Sequence, residues 1–222
     1  MSSSWAAELT ELIPLALVIA LSPLSIIPAV LVLHSPRPRP TGLAFLAGWL
    51  VGLAVLTSVF IGISGLLGGL GTKPPGWASW ARIGVGAALI VFGIYRWATR
   101  HSKPHQIPGT RHITEAGPGK AFAIGALLTV ANPKVLFICA AAGLAIGTAG
   151  LGDAAWFADL VFVLISASTV ALPILAYTYA GARLDPALSR LKVWMEKNNG
   201  ALVAVILVVI GLLVLYKGIH GL

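Results

Sequence analysis

The sequence predicts an all-α integral membrane protein: six transmembrane helices arranged as a 3+3 inverted repeat, with helices 1 and 4 broken at proline. Three observations carry this expectation. Of the 222 residues, 58% are hydrophobic and 10% charged, with mean hydropathy +0.93, far from the usage of soluble domains. Six apolar runs, at about 10–33, 42–67, 78–98, 121–147, 154–180 and 200–219, each approach the roughly 20 residues that a spanning helix needs. The first and fourth runs are interrupted in similar text: Ala16-Leu-Val-Ile-Ala-Leu-Ser-Pro against Ala126-Leu-Leu-Thr-Val-Ala-Asn-Pro.

These runs leave little chain for anything else, so residues 1–222 are expected to form one transmembrane domain. Repeat 1 spans about 10–98, a cytoplasmic connector about 99–120, and repeat 2 about 121–222. The first run is not expected to be a cleaved leader, because Glu8 and Glu11 precede it where a basic segment is required. Span one starts after Thr10 with Pro14 in its first turn, then meets Pro23 and Pro28. Residues 34–40, His-Ser-Pro-Arg-Pro-Arg-Pro, read as a stiff cytoplasmic turn. Span two carries Ala44, Gly48 and Gly52 at four-residue spacing, which permits close helix contact within the chain. The Gly/Pro-rich link at 65–76 reads as a loop, followed by Trp77 and Trp80 at interface depth.

Span three closes at Tyr95-Arg96-Trp97. The polar stretch at 99–119 joins the halves and holds His101, His105 and His112; lacking a cysteine or acid to complete a ligand set, it reads as a solvated loop, and no metal site is expected. Span five runs from Trp156 and is the most polar, with Asp159, Ser166, Ser168, Thr169 and Pro173. Asp185-Pro186 suits a helix start. The sequence predicts a short amphipathic helix on the membrane surface from there, ended by Asn198-Asn199-Gly200 before span six.

The net charge of +8 is a topology signal rather than a nucleic-acid footprint. With six spans, Arg37, Arg39, the five basic residues between 96 and 120, and Arg183, Arg190, Lys192 and Lys197 all fall on one side. The other side holds Lys73, Arg82 and Lys217 with Glu8, Glu11 and Asp153. The positive-inside rule then places both termini outside the cytoplasm. The single cysteine, Cys139, excludes a paired thiol–disulfide carrier and reads as a packing residue.

The chemistry is expected at the two interruptions. Proline in a helix interior removes a backbone donor. In lipid such a defect persists only where protein or a water-lined cavity covers it. Matched defects in two halves of a membrane protein mark a binding site near the bilayer centre, as in alternating-access transporters. The half-helices after Pro23 and Pro133 would present free N–H groups to an anion. Lys134 follows directly. A lysine at the bilayer centre costs at least about 2.5 kcal/mol on insertion scales, so it is expected to serve a ligand. The predicted substrate-binding set is Ser22, Pro23, Ser25, Asn132, Pro133 and Lys134. Asp159 has two readings, a proton-coupling carboxylate or an interfacial residue wetted from outside; pairing with Lys134 looks too distant. No Ser/His/Asp set falls at one depth and no phosphate-binding glycine loop occurs, so neither an enzyme nor an ATP-driven pump is expected, and no cofactor.

The residues around Pro23, the Ser-Pro-Arg-Pro-Arg turn before Gly-Leu-Ala-Phe-Leu-Ala-Gly-Trp, and Asn132-Pro133-Lys134 resemble the lysine-exporter superfamily. Leu-Ser-Pro-Leu-Ser-Ile-Ile-Pro and Ser-Pro-Arg-Pro-Arg-Pro-Thr-Gly-Leu-Ala-Phe are similar, within it, to the glycopeptidolipid- or sulfolipid-addressing protein family. The resemblance covers essentially the whole chain. It implies a bacterial inner-membrane transporter of an envelope lipid or glycolipid, with Ser22, Pro23, Asn132, Pro133 and Lys134 as the site. Ser-Pro-Leu stands in span one where amino-acid exporters carry Pro-Gly-Pro. The expected partners are the lipid or glycolipid substrate and the bilayer, with no nucleic acid; a homodimer is permitted by the small residues of span two. The alternatives are a small-solute exporter for amino acids or ions and a non-transporting accessory subunit of lipid export.

Overall fold

The computed structural model describes residues 12–67, 77–98, 115–149 and 151–219. Among these residues the chain is helical, with no strand. The helices are α1 (Leu12–Ala20), α2 (Pro23–Val32), α3 (Pro38–Leu67), α4 (Trp77–Ala98), α5 (Pro118–Ala131), α6 (Pro133–Thr148), α7 (Ala155–Ala180) and α8 (Asp185–Ile219). The link at 68–76 and the histidine-bearing connector at 99–114 lie outside the described residues.

Two helices, α3 and α7, are long and apolar enough to cross a membrane, each with mean hydropathy 2.2 over its spanning window. The pairs α1–α2 and α5–α6 each qualify as one bent span, which raises the number to four among the described residues. The expected breaks in helices 1 and 4 are present: α1–α2 bends by 48° and α5–α6 by 72°.

The chain divides into two compact units. One holds Met1–Gly69 and Ile107–Arg190, and the other Leu70–Gln106 and Leu191–Leu222. The first therefore takes α1, α2, α3, α5, α6 and α7. The second takes α4 and the part of α8 from residue 191 onward.

In the first unit α3 is the central post, packed against α2, α5, α6 and α7. Its contacts with α5 and α6 use glycine for close backbone approach. A Cβ at Gly48 would collide with the Phe122 carbonyl, one at Gly125 with the Phe45 carbonyl, and one at Gly143 would stand 2.6 Å from the Thr57 carbonyl. The stripe read as small-residue packing is thus occupied at Gly48 and Gly52 by α5 of the same chain. These contacts advance together along both elements, so α5–α6 runs parallel to α3. Against α7 the order reverses, with Gly42 touching Ile174 and Ser58 bonded to Asp159, so α7 is antiparallel. Phe45 and Trp49 stack at 6.5 Å on the buried side of α3.

Hydroxyls within the apolar helices are mostly turned back on their own carbonyls. Thr57 bonds Leu53 at 2.9 Å, Ser64 bonds Ile61 at 2.6 Å and Ser168 bonds Ile165 at 2.7 Å. This local bonding lets a polar side chain lie in an apolar helix without an orphaned donor. α7 ends at Gly181, whose φ of 57° with ψ of −144° is a backbone conformation open essentially to glycine alone.

Two local expectations are corrected. α3 begins at Pro38, inside the stretch read as a turn. Pro38 and Pro40 sit in the first turn, where the missing N–H groups have no intrahelical acceptor to lose. The Asn198-Asn199-Gly200 stop is also overridden: Asp185–Ile219 is one helix of 35 residues. Asn198 Nδ2 donates to the Trp194 carbonyl at 2.8 Å, so its amide follows the helix instead of ending it. Leu188 and Met195 are buried as expected of one face, while Leu191 and Trp194 are exposed.

Candidate functional site: two interrupted helices on one post

The first interruption lies between α1 and α2. Pro23 cannot donate to the Ile19 carbonyl, and that oxygen is taken instead by the Ser22 N–H at 3.1 Å. Ser22 adopts extended dihedrals (φ −75°, ψ 120°) and its side chain makes no cap. Its carbonyl starts α2, accepting from Ser25 N at 3.0 Å and Ile26 N at 3.3 Å. The Ala20 carbonyl, released by the break, accepts the Thr169 hydroxyl from α7. Ser22 and Ser25 are buried, and Ser25 Oγ has no partner among the described residues. Ser166, one turn before Thr169 on α7, is buried with an equally unpartnered hydroxyl.

The second interruption lies between α5 and α6. Pro133 denies a donor to the Thr129 carbonyl. Asn132 takes extended dihedrals (φ −89°, ψ 103°) and closes α5 through its own N–H to Leu128 at 3.1 Å. Its side-chain oxygen then caps α6, accepting from Lys134 N at 3.1 Å, the service that asparagine performs at helix N-termini. Asn132 and Lys134 are half-buried and Pro133 is exposed. Around them Leu127, Val130 and Phe137 are 65%, 53% and 71% exposed. The lysine thus stands at a helix N-terminus within an open apolar face. No ion pair or side-chain hydrogen bond engages its Nζ among the described residues.

Both interruptions belong to the first unit. Thr129 touches Gly52 of α3. The antiparallel register, with Ser58 against Asp159, puts Thr169 and the Ala20 carbonyl near Gly48. At 1.5 Å per residue the two breaks lie within roughly 10 Å of one level along α3. No hydrogen bond joins Ser22 or Ser25 to Asn132 or Lys134 among the described residues.

Asp159 is buried, at 7% exposure. Its Oδ2 accepts from Ser58 on α3 at 3.0 Å. Cys139 on α6 lies beside Thr57 and within electrostatic range of Asp159. Sequence reasoning did not mark Ser58 or give Thr169 a role at the break. Their signal is modest: Thr57-Ser58 is the polar pair in the middle of span two, and Thr169 follows Ser166 at helical spacing.

A family model described as Sap, sulfolipid-1-addressing protein, matches residues 12–220. The chain belongs to the Sap family. No curated protein and no solved structure matches it. The Sap match runs through both interruptions, both candidate spans and both compact units. The apolar helices make this Sap-family chain a membrane-embedded protein.

Proposed function

We propose that the chain carries an envelope lipid or glycolipid with an anionic head group across the bacterial inner membrane by alternating access. The observation that carries this reading is Lys134: a half-buried cation with no protein partner among the described residues, at a helix N-terminus, in a stretch where Leu127, Val130 and Phe137 are exposed. An ammonium at the positive end of a helix dipole attracts a sulfate or phosphate. Flanking apolar surface suits acyl chains, and a sealed aqueous vestibule for amino acids or ions would not present it to the bilayer. The description of the family model, addressing of sulfolipid-1, fits an anionic lipid cargo. The chain acts here as a carrier, not an enzyme, with the lipid and the bilayer as its partners.

The full reading has six spans in a 3+3 inverted repeat of the lysine-exporter type, with both termini outside the cytoplasm. The partition of the fold supports it. Spans 1, 2, 4 and 5 form one unit and spans 3 and 6 the other, so equivalent members of the two halves stay together. α3 runs parallel to α5–α6 and antiparallel to α7, as alternating spans 2, 4 and 5 require.

The test is reconstitution of the purified chain in liposomes with fluorescent phosphatidylglycerol as the probe. Transbilayer movement above protein-free vesicles is expected, reduced by Lys134→Ala and less so by Lys134→Arg. No movement by the purified protein would favour an accessory role. Movement of lysine or another small solute, with none of lipid, would favour a solute exporter.

A further inference from the structure

We infer that Asp159 is a proton-binding site, one carboxyl oxygen held by Ser58 and the other carrying the proton, which is released and regained as the cargo site opens. The coupling part of this inference rests on the translocator reading above; the proton site stands on its own geometry.

Asp159 lies near the start of α7, buried, with Oδ2 bonded to Ser58 and Oδ1 without a partner among the described residues. The apolar residues Ala158, Phe162 and Val163 are buried beside it on α7. From α3 come Ser58 and Thr57, and the Thr57 hydroxyl is committed to the Leu53 carbonyl at 2.9 Å. From α6 comes Cys139, the titratable group within electrostatic range of it among the described residues. No cation is paired with Asp159 among the described residues. An ionised carboxylate here would be buried with one hydrogen bond and no counter-charge, which costs several kcal/mol by the usual reckoning. A proton on Oδ1 removes that cost. A hard metal ion takes about six or more oxygen ligands, and among the described residues no cluster of acids or histidines surrounds Asp159 to supply them.

The site is mechanically tied to the cargo site. Lys134 and Cys139 are on the same half-helix, about 7.5 Å apart along its axis. Further along, Gly143 packs its backbone against Thr57 and Phe60 of α3, with no room for a Cβ. Tilting α6 at the Asn132-Pro133 break therefore disturbs α3 at Thr57, the residue next to Ser58. Water admitted there accepts the proton: the O–H bond of the carboxyl breaks, hydronium forms and carboxylate remains. Closing the site again requires the reverse transfer.

Two measurements on the full-length protein decide this. In infrared spectra of the reconstituted chain, a protonated-carboxyl C=O band is expected that titrates with pH, disappears in the isosteric Asp159→Asn and shifts in Ser58→Ala. In liposomes carrying fluorescent phosphatidylglycerol, an imposed pH gradient is expected to speed wild-type lipid movement several-fold, and Asp159→Asn to bring the ratio with and without the gradient to unity. Identical infrared spectra for wild type and Asp159→Asn overturn the proton site. A band lost in Asp159→Asn with the gradient response intact overturns the coupling. Failure of the wild type to move lipid, with the band present, overturns the translocator reading and leaves the proton site standing.

Discussion

The two interrupted helices are the same device in different surroundings. At Ser22-Pro23 the chain bends by 48°, buried against α7, and the carbonyl it releases is met by a threonine from another helix. At Asn132-Pro133 the bend is 72°, the cap comes from the broken segment's own asparagine, and the face around it is open and apolar. One break is satisfied by tertiary structure. The other satisfies itself locally, and places a half-buried lysine with no ion pair among the described residues at the start of α6. The difference teaches that a matched pair of prolines need not be a matched pair of ligands. The first break is tied into the packing of the unit, and the second is the one proposed to meet the cargo.

Substitutions separate these roles. The largest effect on transport is expected at Lys134. Lys134→Ala removes a charge-assisted contact worth about 1.5–3 kcal/mol, which lowers apparent affinity for an anionic lipid about 10- to 100-fold. The same change should leave thermal stability in detergent equal or improved, because no protein partner among the described residues loses a bond. Thr169→Val should do the reverse. It strands the Ala20 carbonyl at a cost of about 1–3 kcal/mol, lowering the melting temperature, with Thr169→Ser restoring it. Lipid affinity per folded molecule should be close to wild type. The smallest effect is expected for Asn132→Ala, which removes the cap on Lys134 N and costs about 1 kcal/mol. Asn132→Ser should recover most of it. Equal transport losses from Thr169→Val and Lys134→Ala, measured per folded molecule, would erase the distinction between the breaks.

Much of this was legible in the sequence because it is local. Span five was read as 154–180 and forms Ala155–Ala180. The breaks fall where proline removes a donor inside an apolar run, since nothing in a hydrocarbon setting replaces that donor for free. The misreadings have local causes too. Pro38 and Pro40 looked like a turn, yet a first helical turn accepts them. Asn198-Asn199-Gly200 looked like a stop, yet one glycine costs a helix only about 1 kcal/mol, and Asn198 bonds back along it. What the sequence hid is long-range. Thr169 and Ala20 are 149 residues apart, and Ser58 and Asp159 are 101 apart. No spacing or periodicity announces such a pairing. It follows from the packing of α7 on α2 and α3, which the glycine contacts of α3 help to set.

The central claim, that the second break is where an anionic lipid is held, is tested most directly by photo-crosslinking. The purified chain in membranes containing a photoreactive phosphatidylglycerol would be irradiated and its adducts mapped by mass spectrometry. The account predicts adducts concentrated between Leu127 and Phe137, reduced at least tenfold by Lys134→Ala, in line with the lost charge-assisted contact. Adducts spread evenly over the apolar helices, or unchanged by Lys134→Ala, would contradict it.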